Sequence, residues 1–151
     1  MRDRDPYFAY GSNLKAVRIL ERVPSARPLA RARLANHALR FDKPGADGSG
    51  KANLGDAPGE IVWGFVYTMD RLDWPNLDAC EPGYERITVE VVFESEQRAA
   101  VQTYRHPAPQ PGLVPLDEYV RLVVEGAREH ALPDAYVDVI AALASNANPG
   151  D

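Results

Sequence analysis

The chain has 151 residues, 45% of them hydrophobic and 26% charged, with a formal net charge of −5 at pH 7. That is the size and balance of one globular domain with a core of its own, and the acidic surplus argues against nucleic acid or an anionic membrane as a partner. Cys80 is the single cysteine, so no intramolecular disulfide can form. No apolar run reaches the roughly 20 residues of a bilayer span, and Met1–Pro6 does not read as a secretory signal, so a cytoplasmic location is expected.

Tyr7 to Tyr10 reads as a first, buried strand. Gly11-Ser12-Asn13 ends it: Gly11 for its conformational freedom, Ser12 and Asn13 as residue types that cap helix N-termini. Leu14 to Val23 then has helical spacing, with Leu14, Val17, Ile19 and Leu20 on the apolar side. Pro24 and Pro28 bracket a loop, and Ala32 to Phe41 reads as a strand. Asp42 to Gly59 holds five glycines and two prolines, which predicts a long irregular loop of the mobile or functional kind. Glu60 to Met69 is β-branched and aromatic throughout, the clearest strand of the chain. Asp70 is placed to cap a short helix carrying Leu72, Trp74, Leu77 and Asp78. Tyr84 to Glu94 alternates, with Ile87, Val89, Val91 and Phe93 on one face, and Arg98 to Tyr104 answers it across Ser95-Glu96-Gln97. His106 to Pro115 is proline-rich and extended. Leu116 to His130 is an amphipathic helix with Tyr119, Leu122, Val123 and Ala127 inward, and Pro133 to Ala144 is the last helix, with a frayed tail from Ser145. Strand, helix, several strands, then helices predicts an α+β fold: a mixed sheet forming a partly closed small β-barrel with flanking helices, in one domain over 1–151 with an ordered core of about 6–144.

The turn at Gly11-Ser12-Asn13 is the first candidate site. A strand that passes abruptly into a helix leaves backbone N–H groups without partners, a cradle for a carboxylate or phosphate. The same residues also fit an ordinary capped connection. The second candidate is Glu81, where a helix gives way through Pro82-Gly83 to a strand. A carboxylate turned inward there would be desolvated, its pKa raised, and usable as an acid or base near neutral pH. A solvated glutamate at a helix end is the alternative. Asp78 and Glu85 are weaker candidates, and Arg86 is placed to pair with a carboxylate structurally. His37, His106 and His130 lie far apart and show no metal-ligand spacing, so no metal is expected. Cys80 reads as a core residue. No serine sits in a G-x-S-x-G elbow, and neither G-x-G-x-x-G nor a Walker A pattern occurs.

Taken together, Tyr10-Gly11-Ser12-Asn13-Leu14 after Tyr7-Phe8-Ala9, the strand Glu60-Ile61-Val62-Trp63-Gly64-Phe65-Val66-Tyr67, Leu77-Asp78-Ala79-Cys80-Glu81, and Tyr84-x-Arg86-x-x-Val89-x-Val91 resemble the γ-glutamylcyclotransferase superfamily. Members usually read Leu-Asp-x-x-Glu-Gly at the third of these; here Pro82-Gly83 replaces the glycine, which leaves the pose of Tyr84 open. The segment from Leu116 to Tyr136 is similar to the γ-glutamylcyclotransferase branch itself, and the resemblance runs from about Pro6 to Leu143.

The resemblance implies a cofactor-free reaction. The α-amine of a γ-glutamyl compound attacks its own γ-carbonyl, closing 5-oxoproline and releasing an amine or amino acid. It implies Glu81 as the general acid/base and the backbone from Gly11, Ser12 and Asn13 to Leu14 as the binder of the α-carboxylate or developing oxyanion. Tyr10 would line the pocket and Tyr119 would donate to substrate, both residues being equally acceptable as core. Two other functions fit the same residues: a specialised enzyme for one γ-glutamyl cap or for γ-glutamyl-amines, and a non-catalytic module binding an acidic γ-glutamyl metabolite. The only partner expected is a small molecule, though exposed aromatic residues would permit a homodimer.

Overall fold

The computed structural model describes residues 3–147, with side chains described as far as residue 143. In chain order they form β1 (Arg4–Ala9), a 3-10 turn (Ser12–Leu14), α1 (Ala16–Arg22), β2 (Arg27–Pro44) and β3 (Gly50–Asp70). A second 3-10 turn (Arg71–Asp73) runs into α2 (Trp74–Ala79), followed by β4 (Glu85–Phe93), β5 (Arg98–Arg105), α3 (Asp117–Glu129) and α4 (Asp134–Ala147). The expected final helix therefore continues beyond Ala144; the rest of the expected frayed tail, 148–151, lies outside the described residues.

The strands close a barrel in the order β1-β3-β2-β4-β5. Neighbouring strands are antiparallel except where the barrel shuts: there β1 meets β5 in parallel at Tyr7 and Gln102. The Thr103 hydroxyl donates to the Phe8 carbonyl at 2.7 Å across that seam. Asp70 caps the turn after β3 as its sequence suggests, accepting from the Leu72 N–H at 2.9 Å.

The predicted loop at 42–59 is instead the closed end of a long hairpin. β2 and β3 pair through His37/Asp56, Leu39/Leu54 and Pro44/Gly50, and only the 45–49 turn separates them. Two glycines that suggest a loop serve close approach within the sheet. A Cβ on Gly50 would lie 2.3 Å from the Phe41 carbonyl oxygen, and one on Gly55 would lie 2.2 Å from the Arg40 side chain. A glycine count cannot separate backbone freedom from a need for space.

Alternation along the strands builds two apolar clusters. Phe8 and Tyr10 join Leu34, Leu39, Leu54, Val62 and Val66, together with Val123 and Ala127 of α3 and Val137 and Ile140 of α4. Tyr7 and Ala9 point the other way, to Tyr67, Met69, Trp74, Leu77 and Tyr104, where Ile19 and Val23 seat α1. The apolar side predicted for the first helix is only partly realised. Ile19 is fully buried, whereas Val17 is 58% and Leu20 43% exposed, because the face that packs inward carries Ile19 and, one turn on, Val23.

α3 holds the turn that follows β1. Leu14 is buried beneath it, and a Cβ on Gly126 would come within 2.6 Å of both the Leu14 side chain and the Lys15 backbone nitrogen. The Leu14 carbonyl accepts from the Tyr67 hydroxyl at 2.9 Å and from His130 Nε2 at 2.7 Å, which places the imidazole proton on Nε2. The Lys15 ammonium pairs with Glu125, and Glu129 accepts the Ala16 N–H at 3.0 Å. Ser12 and Asn13 therefore do not cap α1 with their side chains; a carboxylate from α3 does.

Gly126→Ala replaces the poorest helix former but one with the best, yet the added methyl meets backbone, which cannot move aside as a side-chain tip can. We expect a loss of about 1–3 kcal/mol, as for overpacking in general. Urea unfolding of the variant beside the parent checks this; equal or greater stability would show that the α3–turn contact relaxes freely.

Candidate active site

The turn after β1 and the junction after α2, 68 residues apart in sequence, meet at one end of the barrel. The 3-10 turn uses the Leu14 and Lys15 N–H groups for its own bonds, to the Gly11 and Ser12 carbonyls at 3.0 and 3.2 Å. The N–H groups of Gly11, Ser12 and Asn13 stand ahead of those bonds. Gly11 has φ −112°, so it is not a left-handed turn position. What it supplies is space: a Cβ there would lie 3.0 Å from Ala52 Cβ.

Asn13 is the hinge of the constellation. One side-chain N–H donates to Glu81 Oε1 at 3.0 Å and the other to the Tyr7 hydroxyl, also at 3.0 Å. This pattern fixes the orientation of the amide, since a carboxylate can only accept. Arg22, at the end of α1, donates to the same Glu81 oxygen at 3.0 Å. The Glu81 side chain is only 15% exposed. Its burial raises the pKa, and this outweighs the opposing pull of the Arg22 charge and the Asn13 hydrogen bond.

A cavity lies over these groups, lined by Tyr7, Tyr10, Gly11, Ser12, Asn13, Ala52, Glu81, Tyr84, Tyr104 and Tyr119. Its tyrosines stay neutral. Burial pushes Tyr119 up to about 12 and Tyr7, Tyr10, Tyr84 and Tyr104 well above the ordinary phenol value. They are hydrogen-bonding walls rather than bases. Tyr119 accepts from the Ala52 N–H at 3.0 Å, which leaves its own proton to donate. The Tyr84 hydroxyl donates to the Ala52 carbonyl at 2.6 Å, and that of Tyr10 to the Tyr104 carbonyl at 2.6 Å.

Of the residues singled out from sequence, Tyr10, Gly11, Ser12, Asn13, Glu81 and Tyr119 come together at this cavity. Leu14 does not: its side chain is in the core and its N–H is taken by Gly11. Tyr84, whose pose the sequence left open, lines the cavity. Arg86 pairs with Asp78 at 3.7 Å and stacks over Trp74, a structural role, while Asp78 also accepts from the Tyr104 hydroxyl at 2.6 Å. Cys80, the C-cap of α2, is half-buried beside Glu81 and Pro82 rather than in the core. Sequence reasoning missed Tyr7, Ala52, Tyr104 and above all Arg22. An arginine in the last turn of a short helix carries no local sign of a carboxylate 59 residues away.

Among the described residues no group of three or more His, Cys, Asp or Glu side chains could hold a metal, and no helix is long and apolar enough to cross a membrane.

The sequence pattern of the AIG2-like family matches residues 61–140. The chain is 33% identical over 153 residues to the γ-glutamylcyclotransferase of Homo sapiens, covering 93% of this chain and 79% of that protein. It is 33% identical over 139 residues to that of Bos taurus, covering 86% and 73%. A solved γ-glutamyl cyclotransferase superimposes with a TM-score of 0.86 at 30% identity, over 92% of this chain and 87% of that one.

A raised pKa at Glu81 has a sign for stability. The proton is held more tightly in the folded than in the unfolded chain, so the group's stabilising contribution is full below the ordinary value of 4.5 and is lost as pH rises through the raised one. Glu81→Gln removes that loss, so the parent should weaken relative to the variant as pH is raised from 4 to 7. Parallel urea unfolding across that range is the check, and a constant difference would mean that Glu81 titrates as it does in water. Arg22→Met should move the Glu81 titration, followed by carboxyl carbon NMR, still higher.

Proposed function

The chain belongs to the AIG2-like, γ-glutamylcyclotransferase family, and from that premise we propose that the Glu81 cavity converts a γ-glutamyl amino acid or amide to 5-oxoproline and a free amine. The observation that carries this reading is the Asn13 amide. It ties a largely desolvated carboxylate of raised pKa to the turn whose residues Gly11, Ser12 and Asn13 line the same cavity.

The reaction asks little of the protein beyond shape and one proton carrier. The γ-glutamyl α-amine is the nucleophile and the γ-carbonyl carbon the electrophile, so both reacting atoms belong to the substrate. The amine arrives protonated and must shed a proton before it can attack. Glu81 in its carboxylate form accepts it. The new bond joins the α-nitrogen to the γ-carbon, and the carbonyl oxygen becomes an oxyanion. The N–H groups of Gly11, Ser12 and Asn13, with the neutral Tyr119 hydroxyl, supply donors for that charge or for the α-carboxylate. As the intermediate collapses, the bond from the γ-carbon to the departing nitrogen breaks, Glu81 returns its proton to that nitrogen, and the second proton shed by the ring nitrogen leaves with the amine, which departs as an ammonium ion. The base form in one step is the acid form in the next, so a pKa drawn up toward neutrality serves both.

Holding the substrate folded is the larger task. A flexible γ-glutamyl chain seldom brings its ends to the ~3–3.5 Å needed for attack, and a cavity that admits only the folded-back conformer removes that entropic barrier. The wall of tyrosines suits this purpose, since each ring is rigid and most are tied by their hydroxyls to backbone.

Glu81→Gln keeps the shape and one hydrogen-bond acceptor but cannot carry the proton. We expect 5-oxoproline formation from a panel of γ-glutamyl dipeptides, followed by mass spectrometry, to fall by about 10²–10⁴-fold. Full activity in the variant would remove Glu81 from the reaction. In the parent, the acidic limb of kcat/KM should lie above pH 4.5, the ordinary glutamate value. Tyr119→Phe should lower kcat/KM by about tenfold, in line with one lost donor.

A further inference from the structure

Beyond the inner cavity lies an outer one that shares Ser12, Glu81, Tyr84 and Tyr119 with it and adds Arg18, Arg22, Lys43 and Lys51. In a chain of net charge −5, four cations facing one carboxylate is a local reversal of sign.

Three of the four cations are already engaged. Arg22 donates to Glu81. Arg18 Nε donates to the Ser12 hydroxyl at 2.9 Å. Lys51 lies 3.7 Å from Asp47 and over the Tyr119 ring. Lys43 is different. It is only 8% exposed, yet among the described residues its ammonium has neither a hydrogen-bond acceptor nor an ion-pair partner. It sits 5.0 Å from the centre of the Tyr84 ring, and burial pulls its pKa down. The Glu81 charge on the same cavity offsets part of the cost of holding a largely buried lysine there, and an anionic ligand beside the ammonium would offset more of it.

The Pro82-Gly83 step makes room for it. Gly83 has φ +87°, and a Cβ there would lie 3.1 Å from Lys43 Cε and 3.3 Å from Nζ. The segment that carries Glu81 into the site is thus also shaped around the Lys43 ammonium.

Resting on the cyclotransferase reading above, we propose that Lys43 is a specificity-determining residue that binds a carboxylate of the departing group, so that a γ-glutamyl amino acid is favoured over a γ-glutamyl-amine. The inner cavity holds the glutamyl moiety against the Gly11–Asn13 turn. The departing nitrogen lies toward Glu81, which both cavities share, and the outer cavity receives what that nitrogen carries. An α-amino acid carries a carboxylate one carbon from that nitrogen; a simple amine carries none. Lys51 and Arg18 add to the field on the same side, but both already have partners.

The matched pair γ-glutamyl-alanine and γ-glutamyl-ethylamine differs only by that carboxylate. The parent should favour the alanine compound in kcat/KM by tenfold or more. Lys43→Met, which keeps an unbranched apolar stem, should cut that ratio by about tenfold, mainly through KM for γ-glutamyl-alanine, the scale of one lost charge-assisted hydrogen bond. Lys43→Arg should restore most of it. A parent ratio near one, or a ratio unmoved in Lys43→Met, overturns the proposal, as does a fall on both substrates alike, which would make Lys43 a mere wall of the cavity. If the parent forms 5-oxoproline from neither compound, nor from the wider dipeptide panel, the cyclotransferase reading itself falls and this one with it. Turnover with an unmoved ratio sinks only the role of Lys43.

Discussion

Keeping the Glu81 carboxylate largely out of water is the constraint on which the site depends. A carboxylate in that position would carry a large desolvation penalty on its own. Asn13 and Arg22 meet it with hydrogen bonds from two different elements, the turn after β1 and the end of α1. The compensation is incomplete, as the raised pKa records. That incompleteness is useful for chemistry. A fully paired or fully solvated carboxylate would be a weaker base toward an amine and would hold a proton too rarely near neutral pH to serve as the acid.

Because both donors come from the N-terminal quarter of the chain, whatever fixes that segment also fixes the Glu81 carboxylate. Most of the fixing is done by α3. Its Gly126 lets the turn approach, its Glu129 caps α1, and His130 just beyond its end joins Tyr67 on the Leu14 carbonyl. Tyr119, on the same helix, then reaches past the turn to the Ala52 N–H. One helix thus positions the candidate anion cradle from behind and lines the cavity in front of it.

Much of this was legible from residues close in sequence. Alternation located β4 and β5 and the hairpin between them, the aromatic run located the end of β3, and Asp70 capped the turn it precedes. The Gly11–Asn13 turn and Glu81 stood out because each interrupts a regular pattern. Interactions with no local signature were not legible. Asn13 looks like a helix cap, but it is spent on Glu81 and Tyr7, and the cap of α1 arrives from Glu129. Gly50 and Gly55 look like loop residues, but they lie inside a sheet where neighbouring groups crowd them. Arg22 and Lys43 resemble any surface cation until the barrel closes and places one against Glu81 and the other over Tyr84. In each case the missing information is a distance between residues far apart in the chain.

The closure of the barrel between its first and last strands has a consequence for how the molecule is made. The hairpins β2–β3 and β4–β5 join neighbours in sequence and close at little entropic cost, whereas the β1–β5 seam joins Tyr7 to Gln102. On the ribosome the Gly11–Asn13 turn emerges early, but the helix that clamps it lies beyond residue 116. A nascent chain that has already made every residue pointing into the inner cavity except Tyr119 therefore still lacks the support that orders them. The chain is chemically silent until it is nearly complete, so a fragment cut short before α3 would not form the site even with Glu81 and the turn intact.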